Sequence, residues 1–387
     1  MSASLSIKRR ETAQKTAPRA FVSAPPDLLL FASVASLVAI GLAMIFSASS
    51  AQAYADHHDT AYFLKRQIVY LAVGLVLAYG AYRVDYRKLR APAPYLLVLC
   101  GMGLIAVLVP HVGVVVNGAR RWIGAGPVSL QPSEFAKLGI VLYLSAVLSL
   151  RGDRITSLSR GLFPLCVPVL FFTMLVFVEP DMGTASLIVF TSFAIFFAAG
   201  ARFEHLLLIV LATVPPAVLA VLASPYKRAR IFAFVNPWKD AQNTGFHIVQ
   251  SLLALGSGGF FGVGLGESRA KFFYLPEQYT DFIFSVLGEE LGLIGTVAVV
   301  VLFLLFGYRA IRIAIAAPDR FGFFLATGCA ALIVIQAFVN IGVVTSSWPV
   351  TGVPLPFISF GGSSLIVSLV AVALVLNVGR YQRVNLP

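Results

Sequence analysis

The sequence has few charged residues: Asp, Glu, Lys and Arg make up 12% of its 387 residues, about half the share of an average soluble domain. Hydrophobic residues make up 58% of the chain, and the mean hydropathy is +0.87. Runs of about 20 apolar residues, enough to cross a bilayer, recur along the whole length. This composition excludes a soluble multi-domain enzyme and predicts an all-α, polytopic membrane protein.

Residues that could bind a metal or form disulfides are also scarce. The five histidines are scattered, and the pair His57–His58 is better explained by a solvated loop than by a metal site. We therefore expect no metal site from the residues alone. The cysteines occur singly within apolar runs, and their spacing fits neither a disulfide framework nor a metal site; they are Cys100, Cys166 and Cys329.

The apolar runs predict about ten transmembrane helices, here called spans. With both termini inside, the cytoplasmic segments hold 18 of the 29 Lys and Arg residues, against ten outside and one, Lys137, within a span. The positive-inside rule therefore predicts cytoplasmic termini. The spans cover about 28–48, 67–83, 94–112, 133–150, 161–178, 183–199, 204–224, 281–308, 321–344 and 358–379.

Three regions are predicted from this pattern. Residues 1–26 are polar and basic and lack the features of a cleavable signal peptide, so we expect a disordered cytoplasmic tail. Residues 27–380 form the transmembrane domain, and residues 381–387 a second cytoplasmic tail. The transmembrane domain includes a long external loop, 225–280, between the seventh and eighth spans.

The long loop carries six Lys and Arg residues, which indicate an anionic partner outside the membrane. Lipid headgroups can explain the net charge of +12 without nucleic acid. Basic residues interleaved with aromatics in "SPYKRARIFAFVNPWKD" indicate an amphipathic element in the lipid interface, with phosphate capture as the functional alternative. The glycine-dense "GSGGFFGVGLG" does not follow a strand, so a re-entrant turn is predicted rather than a dinucleotide loop.

Polar residues cluster at the predicted outer ends of the spans. "VNGARRWIGAGPVSLQPSEFAK" places Glu134 and Lys137 on one helix face just inside the membrane. They form either a self-neutralising pair that helps insertion or a site, because intramembrane charges often mark one. In "VEPDMGT", loop solvation and function are both open for Glu179 and Asp181.

Asp281 begins the eighth span beside the cationic loop, in "FFYLPEQYTDFIFSVLGEELG". A carboxylate at such a boundary suits a general base, and the alternative is a helix N-cap supplied by Thr280 or Asp281. Glu289 lies about 12 Å deeper along the helix. It and Glu290 are interpreted as holding helices together.

These motifs resemble the SEDS (shape, elongation, division, sporulation) family, which includes FtsW and RodA. The resemblance rests on "NGARRWIGAGPVSLQPSEFAKL", "EPDMGTA", "PVTGVPLPFISFGGSS" and the segment from "NPWKD" to "GEELG", in family order from about residue 28 to 380. "HIVQSLLALGSGG" and "GVGLGESRAKFFYLPE" favour the FtsW and sporulation branch over RodA. Tyr279 departs from the histidine usual at that position, so no role of that histidine is carried over to this chain.

The resemblance implies a peptidoglycan glycosyltransferase in the bacterial cytoplasmic membrane, which polymerises lipid II at the outer face. Its implied partners are a class B penicillin-binding protein and other divisome or elongasome membrane proteins. No cofactor is evident, although pyrophosphate chemistry often uses a divalent cation. Asp281 is the implied base, and the candidate substrate-binding residues are Arg120, Arg121, Trp122, Glu134, Lys137, Asp181, Lys227, Arg228, Lys239 and Glu277.

Two other functions remain open from the residues. A lipid II flippase needs functional charges through the membrane depth, whereas this sequence concentrates them at the outer face. A scaffold that only recruits a synthase would not need Asp281.

The charge distribution predicts a topology that labelling can test. Cysteines introduced near residues 60 and 245 should react with an impermeant thiol reagent on intact cells, and one near residue 155 should not. The native cysteines are removed first as the background control. The reverse labelling pattern would invert the predicted orientation.

Overall fold

The computed structural model describes residues 25–116, 119–124, 129–272 and 274–381. Nearly all of the predicted N-terminal and C-terminal tails therefore lies outside the described residues. The described part contains twelve α-helices and one two-stranded antiparallel sheet. The helices are α1 Leu28–His57, α2 Tyr62–Arg83, α3 Ala93–Leu108, α4 Pro132–Arg151, α5 Phe163–Val178, α6 Met182–Ala198, α7 Phe203–Leu222, α8 Pro225–Val235, α9 Phe246–Ser257, α10 Ile283–Ile315, α11 Arg320–Val344 and α12 Gly362–Arg380.

The chain is a multi-pass helical membrane protein, as the sequence predicts. Seven helices are long and apolar enough to cross a membrane, with 158–162 forming a π-helical turn that extends α5. Each predicted span falls on a helix, but α3, α6 and the apolar part of α7 are shorter than these seven helices. The number of ten therefore stays a prediction.

Several boundaries and one loop differ from the prediction. The first helix continues nine residues further, to His57, because Ser, Ala and Tyr extend it beyond the apolar run. The loop 225–280, predicted to be external, contains the two helices α8 and α9. The connection before α4 contains the sheet, β1 Gly113–Val116 paired with β2 Ala119–Ile123.

α12 lies at the centre of the bundle, where it packs against α2, α4, α10 and α11. Most of its residues are buried, whereas most of α2 is not, as expected of a helix with a lipid-facing side. Asn377 on α12 places its Nδ2 within 2.9 Å of three carbonyl oxygens at the end of α2, those of Ala81, Tyr82 and Val84. The last carbonyls of a helix have no partner within it, so this amide fixes the end of α2 to the core.

α10 is broken at Gly292, whose φ of 66° and ψ of −164° are not helical. The glycine-rich segment 258–266 packs against the break and replaces the lost backbone hydrogen bonds. The segment is thus closely packed, and its re-entrant course stays a prediction. The carbonyls of residues 289 and 290 accept from the N–H groups of residues 263 and 264, and the N–H groups of residues 293 and 294 donate to the carbonyls of residues 259 and 260.

The two deeper glutamates of α10 hold neighbouring segments, as interpreted from the sequence. Glu289 accepts hydrogen bonds from the Ser268 hydroxyl and from the N–H groups of Arg269 and Ala270. Glu290 accepts from the Ser47 hydroxyl on α1 at 2.5 Å. Both side chains are buried, at 3% and 1% exposure. These carboxyl groups therefore fasten the broken helix to its surroundings.

We predict that Gly262→Ala destabilises the protein. A Cβ at this position would lie 2.1 Å from the Glu290 carbonyl oxygen, and the φ of +81° is unfavourable for alanine. Strain of this kind costs about 1–3 kcal/mol, so the thermal midpoint in detergent should fall.

Gly256→Ala is the matched control, because its Cβ would meet no heavy atom within 4 Å and it lies in α9. Alanine is the better helix former, so its midpoint should hold or rise. Equal midpoints for the two variants would contradict the packing described at the break.

Candidate active site

Four segments meet at one end of the bundle, the end predicted to be external. They are the N-terminal turns of α4 and α6, the residues just before α10, and the loop 351–361 that leads into α12. Each carries one of the motifs on which the family resemblance rests. A polar network connects them.

Lys137 is the centre of this network. Its Nζ donates to Glu134 Oε1 at 2.9 Å and to Gln336 Oε1 on α11 at 2.7 Å. The Lys137 and Glu134 side chains are only 1% and 3% exposed. The pair forms as the sequence predicted, and it faces the protein interior. The hydrogen bond from Lys137 to Gln336 in addition joins α4 to α11.

Gln336 extends the network into the loop 351–361. Its Nε2 lies 2.9 Å from the Pro354 carbonyl oxygen and 3.1 Å from Ser364 Oγ on α12. A buried amide needs partners for both its oxygen and its nitrogen. Because Gln336 has both, it couples the charged pair of α4 to the start of α12.

Asp181 caps the N-terminus of α6. Its carboxylate accepts from the backbone N–H and the hydroxyl of Thr184, both at 2.9 Å. It also accepts from Gln131 Nε2, just before α4, at 3.1 Å. Asp181 and Glu179 are 2% and 1% exposed, so the interpretation that loop solvation explains these two carboxylates is wrong.

Asp281 lies in the turn before α10 and is half-buried. Asn340 on α11 donates to the Asp281 carbonyl oxygen at 2.7 Å and to the Val353 carbonyl oxygen at 2.8 Å. A Cβ on Gly352 would lie 3.5 Å from Asp281 Oδ2. The bare backbone of Gly352 therefore borders the carboxylate.

The residues around Asp281 are also joined to the other segments. Ser359 Oγ donates to the Thr280 carbonyl at 2.6 Å. Gly183 on α6 packs so closely on the loop that a Cβ would come within 2.6 Å of the Thr351 carbonyl oxygen. Asp281 is thus held against a loop that α6, α11 and α12 all contact.

The N-cap interpretation of this segment is wrong. α10 begins at Ile283, with Phe282 rather than Thr280 or Asp281 at the N-cap position. The Thr280 hydroxyl is within 2.8 Å of Glu277 Oε2 instead. Asp281 therefore does not occupy the N-cap position of α10.

Arg121 on β2 reaches the connection between α5 and α6. Its Nε donates to the Glu179 carbonyl at 3.0 Å, and its Nη2 donates to the Pro180 carbonyl at 2.5 Å. Burial and the neighbouring Asp181 charge raise the pKa of Glu179 to about 8, with Arg121 acting in the opposite direction. Arg121 therefore fixes the backbone that leads into Asp181.

The other candidate substrate-binding residues lie at or beyond the edge of this network. Arg120 is exposed on β2, and Trp122 is half-buried and paired with Val114. Arg228 and Lys239 are exposed. α8, which includes Lys227 and Arg228, packs against α7 and the turn 237–240. Of Lys227 the structure describes the backbone only. The predicted amphipathic element is therefore a helix followed by a turn.

Tyr279 replaces a histidine usual in the family, and its packing explains how tyrosine fits. Its ring lies 4.5 Å from that of Phe63 and 5.8 Å from that of Phe360. Its carbonyl accepts from the Phe360 N–H at 2.9 Å. The position is an aromatic packing site that keeps the turn before Asp281 in place.

The sequence reasoning missed the amides that connect the motifs. Gln336 and Asn340 lie four residues apart in the apolar span α11, which places them on one helix face. Uncharged polar residues at this spacing in a span were the available signal. Gln131, directly before α4, carried no comparable signal.

In the part of the chain described here, no three His, Cys, Asp or Glu side chains group as a metal site requires. A divalent cation supplied together with a diphosphate substrate stays a prediction.

Comparisons with known proteins place these features in a family context. The model of the FtsW/RodA/SpoVE family, described as "Cell cycle protein", matches residues 27–384. Stage V sporulation protein E of Bacillus subtilis is 46% identical over 358 residues, covering 92% of this chain and 98% of that protein. A probable peptidoglycan glycosyltransferase FtsW of Trichlorobacter lovleyi is 45% identical over 352 residues, covering 91% and 92%.

Solved structures share the fold. A chain of a peptidoglycan synthase complex that coordinates polymerization and crosslinking has a TM-score of 0.77 and 33% identity, covering 92% of this chain and 99% of that one. Thermus thermophilus rod shape determining protein RodA has a TM-score of 0.68 and 32% identity, covering 92% and 98%. The higher identity to the FtsW and sporulation proteins confirms the branch favoured from the sequence.

The network predicts that Lys137→Met destabilises the protein strongly. Removing one partner of a buried ion pair leaves the other charge uncompensated, at a cost of about 3–5 kcal/mol. The apparent thermal midpoint in detergent should fall, and the double change Glu134→Gln with Lys137→Met should recover much of it.

Lys65→Met is the matched control, because Lys65 pairs with Asp59 at 2.7 Å but is 68% exposed. Such a surface pair is worth about 0–1 kcal/mol. If Lys137→Met lowered the midpoint no more than Lys65→Met, the buried Lys137 would not be needed to stabilise α4 against α11.

Proposed function

Because the chain belongs to the FtsW/RodA/SpoVE family of cell cycle proteins, we propose that it is a peptidoglycan glycosyltransferase that polymerises lipid II. The observation that carries the proposal for the site is the position of Asp281. It is half-buried in a turn held by α11 and by the loop 351–361, whereas Glu134, Glu179 and Asp181 are buried.

Asp281 acts as the general base in this proposal. The acceptor is a sugar hydroxyl, which must lose a proton as it attacks the anomeric carbon. A base needs a carboxylate that the substrate can reach in a fixed orientation. Asn340 holds the backbone of residue 281, and Gly352 leaves the space beside its carboxylate free of a side chain.

The leaving group is a lipid-linked pyrophosphate, which needs cations. Arg121 and the exposed Arg120 occupy adjacent positions on β2, and Arg121 contacts the connection that leads to Asp181. We assign these two arginines to the diphosphate. Lys137 is 1% exposed, so the diphosphate does not reach it, and its contribution in this scheme is to hold α4 and α11 in place.

Attack on the face of the sugar opposite the pyrophosphate inverts the anomeric carbon, as in other one-base glycosyl transfers. The proton passes to Asp281, and the bond to the pyrophosphate breaks as the new glycosidic bond forms. The remaining assignments, Trp122, Glu277 and the basic residues 227, 228 and 239, stay proposals for headgroup or lipid contacts.

The proposed orientation places this end of the bundle outside the cytoplasmic membrane and both termini inside. The proposed partner is a class B penicillin-binding protein that crosslinks the new glycan. The fold shared with a chain of a peptidoglycan synthase complex supports such a partner. Other division or elongation membrane proteins are further proposed partners.

A flippase is the less supported alternative. Such a transporter needs functional charges along its depth, whereas the polar network described above lies at one end of the bundle. The deeper Glu289 and Glu290 accept hydrogen bonds from neighbouring segments and so have structural roles.

We predict that Asp281→Asn abolishes most lipid II polymerisation by the purified protein. The amide keeps the size of the side chain but cannot accept the proton. General-base catalysis is typically worth about 10²–10⁴-fold, so the rate should fall by that order. Gel separation of glycan products, with and without the partner transpeptidase, measures the rate.

Asp56→Asn is the control, since Asp56 is an exposed carboxylate on α1. Both variants should melt at the temperature of the wild type. An Asp281→Asn protein that kept a third of the wild-type rate would remove Asp281 from the mechanism. Wild-type protein that made no glycan under any condition would favour the flippase.

A further inference from the structure

Glu179 is a buried carboxyl group outside the polar network. It is 1% exposed, and among the described residues neither of its carboxylate oxygens has a hydrogen-bond partner. Asp181, two residues later, has hydrogen-bond donors at both of its oxygens. Of the two acidic residues in this short connection, Asp181 therefore has hydrogen-bonded carboxylate oxygens and Glu179 does not.

Arg121 lies beside Glu179 but does not donate a hydrogen bond to its carboxylate. It donates to the backbone carbonyls of residues 179 and 180 instead. Arg309 and Arg87 behave differently, since each directly contacts an aspartate. The positive charge of Arg121 is therefore not neutralised by a direct ion pair with the carboxyl group next to it.

Arg121 forms no ion pair with Glu179 because the surroundings of Glu179 keep its carboxyl group protonated. A carboxyl group that is buried without hydrogen bonds costs far more free energy as the charged carboxylate than as the neutral acid. The charged groups that act on Glu179 are Asp181 on the same connection and Arg121 on β2. Burial and Asp181 outweigh Arg121, so the pKa is raised to about 8 and the group holds its proton at neutral pH.

We propose that Glu179 is a positioning residue which, by staying protonated, keeps the Arg121 charge available to an anionic diphosphate. Loss of this proton at alkaline pH creates a carboxylate that competes with the diphosphate for Arg121. The identity of the diphosphate as a leaving group rests on the proposed function. The competition between Glu179 and the anion does not, and it can be measured by binding alone.

The test is calorimetric binding of inorganic pyrophosphate to the full chain at pH 7 and pH 9. For a pKa of about 8, the protonated fraction falls about tenfold over this range. The wild-type dissociation constant should therefore rise about tenfold more than that of Glu179→Gln, which mimics the neutral acid. The ionisation of pyrophosphate itself is common to both proteins and cancels in the comparison.

Two further variants complete the design. Arg121→Ala should lose binding at both pH values. Glu204→Gln removes an exposed carboxylate at the start of α7 and should behave as the wild type. At pH 7, Glu179→Gln should bind within about twofold of the wild type. A loss as large as that of Arg121→Ala would show that the ionised carboxylate is needed, and would overturn the proposal.

Thermal melting supplies a second measurement that needs no ligand. A raised pKa means that wild-type stability falls, relative to Glu179→Gln, as the pH rises from the ordinary value of 4.5 to about 8. The difference in midpoint should therefore grow between pH 5 and pH 8 and then level off. A constant difference overturns the proposal.

Equal pH dependence of binding in the wild type and Glu179→Gln also overturns the proposal, as does the absence of wild-type binding at pH 7. Failure of the wild type to polymerise lipid II would instead contradict the proposed function, and would leave the binding result in place.

Discussion

Lys137 lies inside the helix bundle with 1% of its side chain exposed, so its charge must be compensated by groups that the fold brings to it. Glu134 comes from the same helix, one turn earlier, and Gln336 comes from α11. The amide nitrogen of Gln336 then contacts the loop before α12 and Ser364. One buried charge thereby sets the relative positions of α4, α11 and α12.

The loop 351–361 carries this constraint to the site. It contacts α6 through Gly183, and Asn340 ties Val353 to residue 281. Ser359 fixes the carbonyl of residue 280. The carboxylate proposed as the base is therefore positioned by side chains buried beneath it. Rigid support of this kind is what a reacting group needs, because small displacements are costly to catalysis.

The sequence was sufficient for the parts of the fold that depend on composition and local periodicity. Apolar runs predicted the helices, and the three-residue spacing predicted the contact between Glu134 and Lys137. Contacts between distant segments could not be predicted in this way. The hydrogen bonds of Gln336, Asn340 and Gln131 join residues far apart in the chain, and the break at Gly292 depends on the segment 258–266 packing against it. The exposed Arg228 and Lys239 are a third case, because charge alone does not tell whether a residue lies in the site or at its edge.

Burial separates the carboxyl groups at this end of the bundle into two kinds. Glu134 and Asp181 are buried and hydrogen-bonded, so their hydrogen bonds help to hold neighbouring helices together. Asp281 is half-buried in a turn that its neighbours hold, so it combines a fixed position with access. Glu179 fits neither description, because it is buried yet has no hydrogen bond from the described residues. If Glu179 served only stability, an apolar residue in its place would make the protein more stable. Its position beside Arg121 therefore favours a role that depends on its proton.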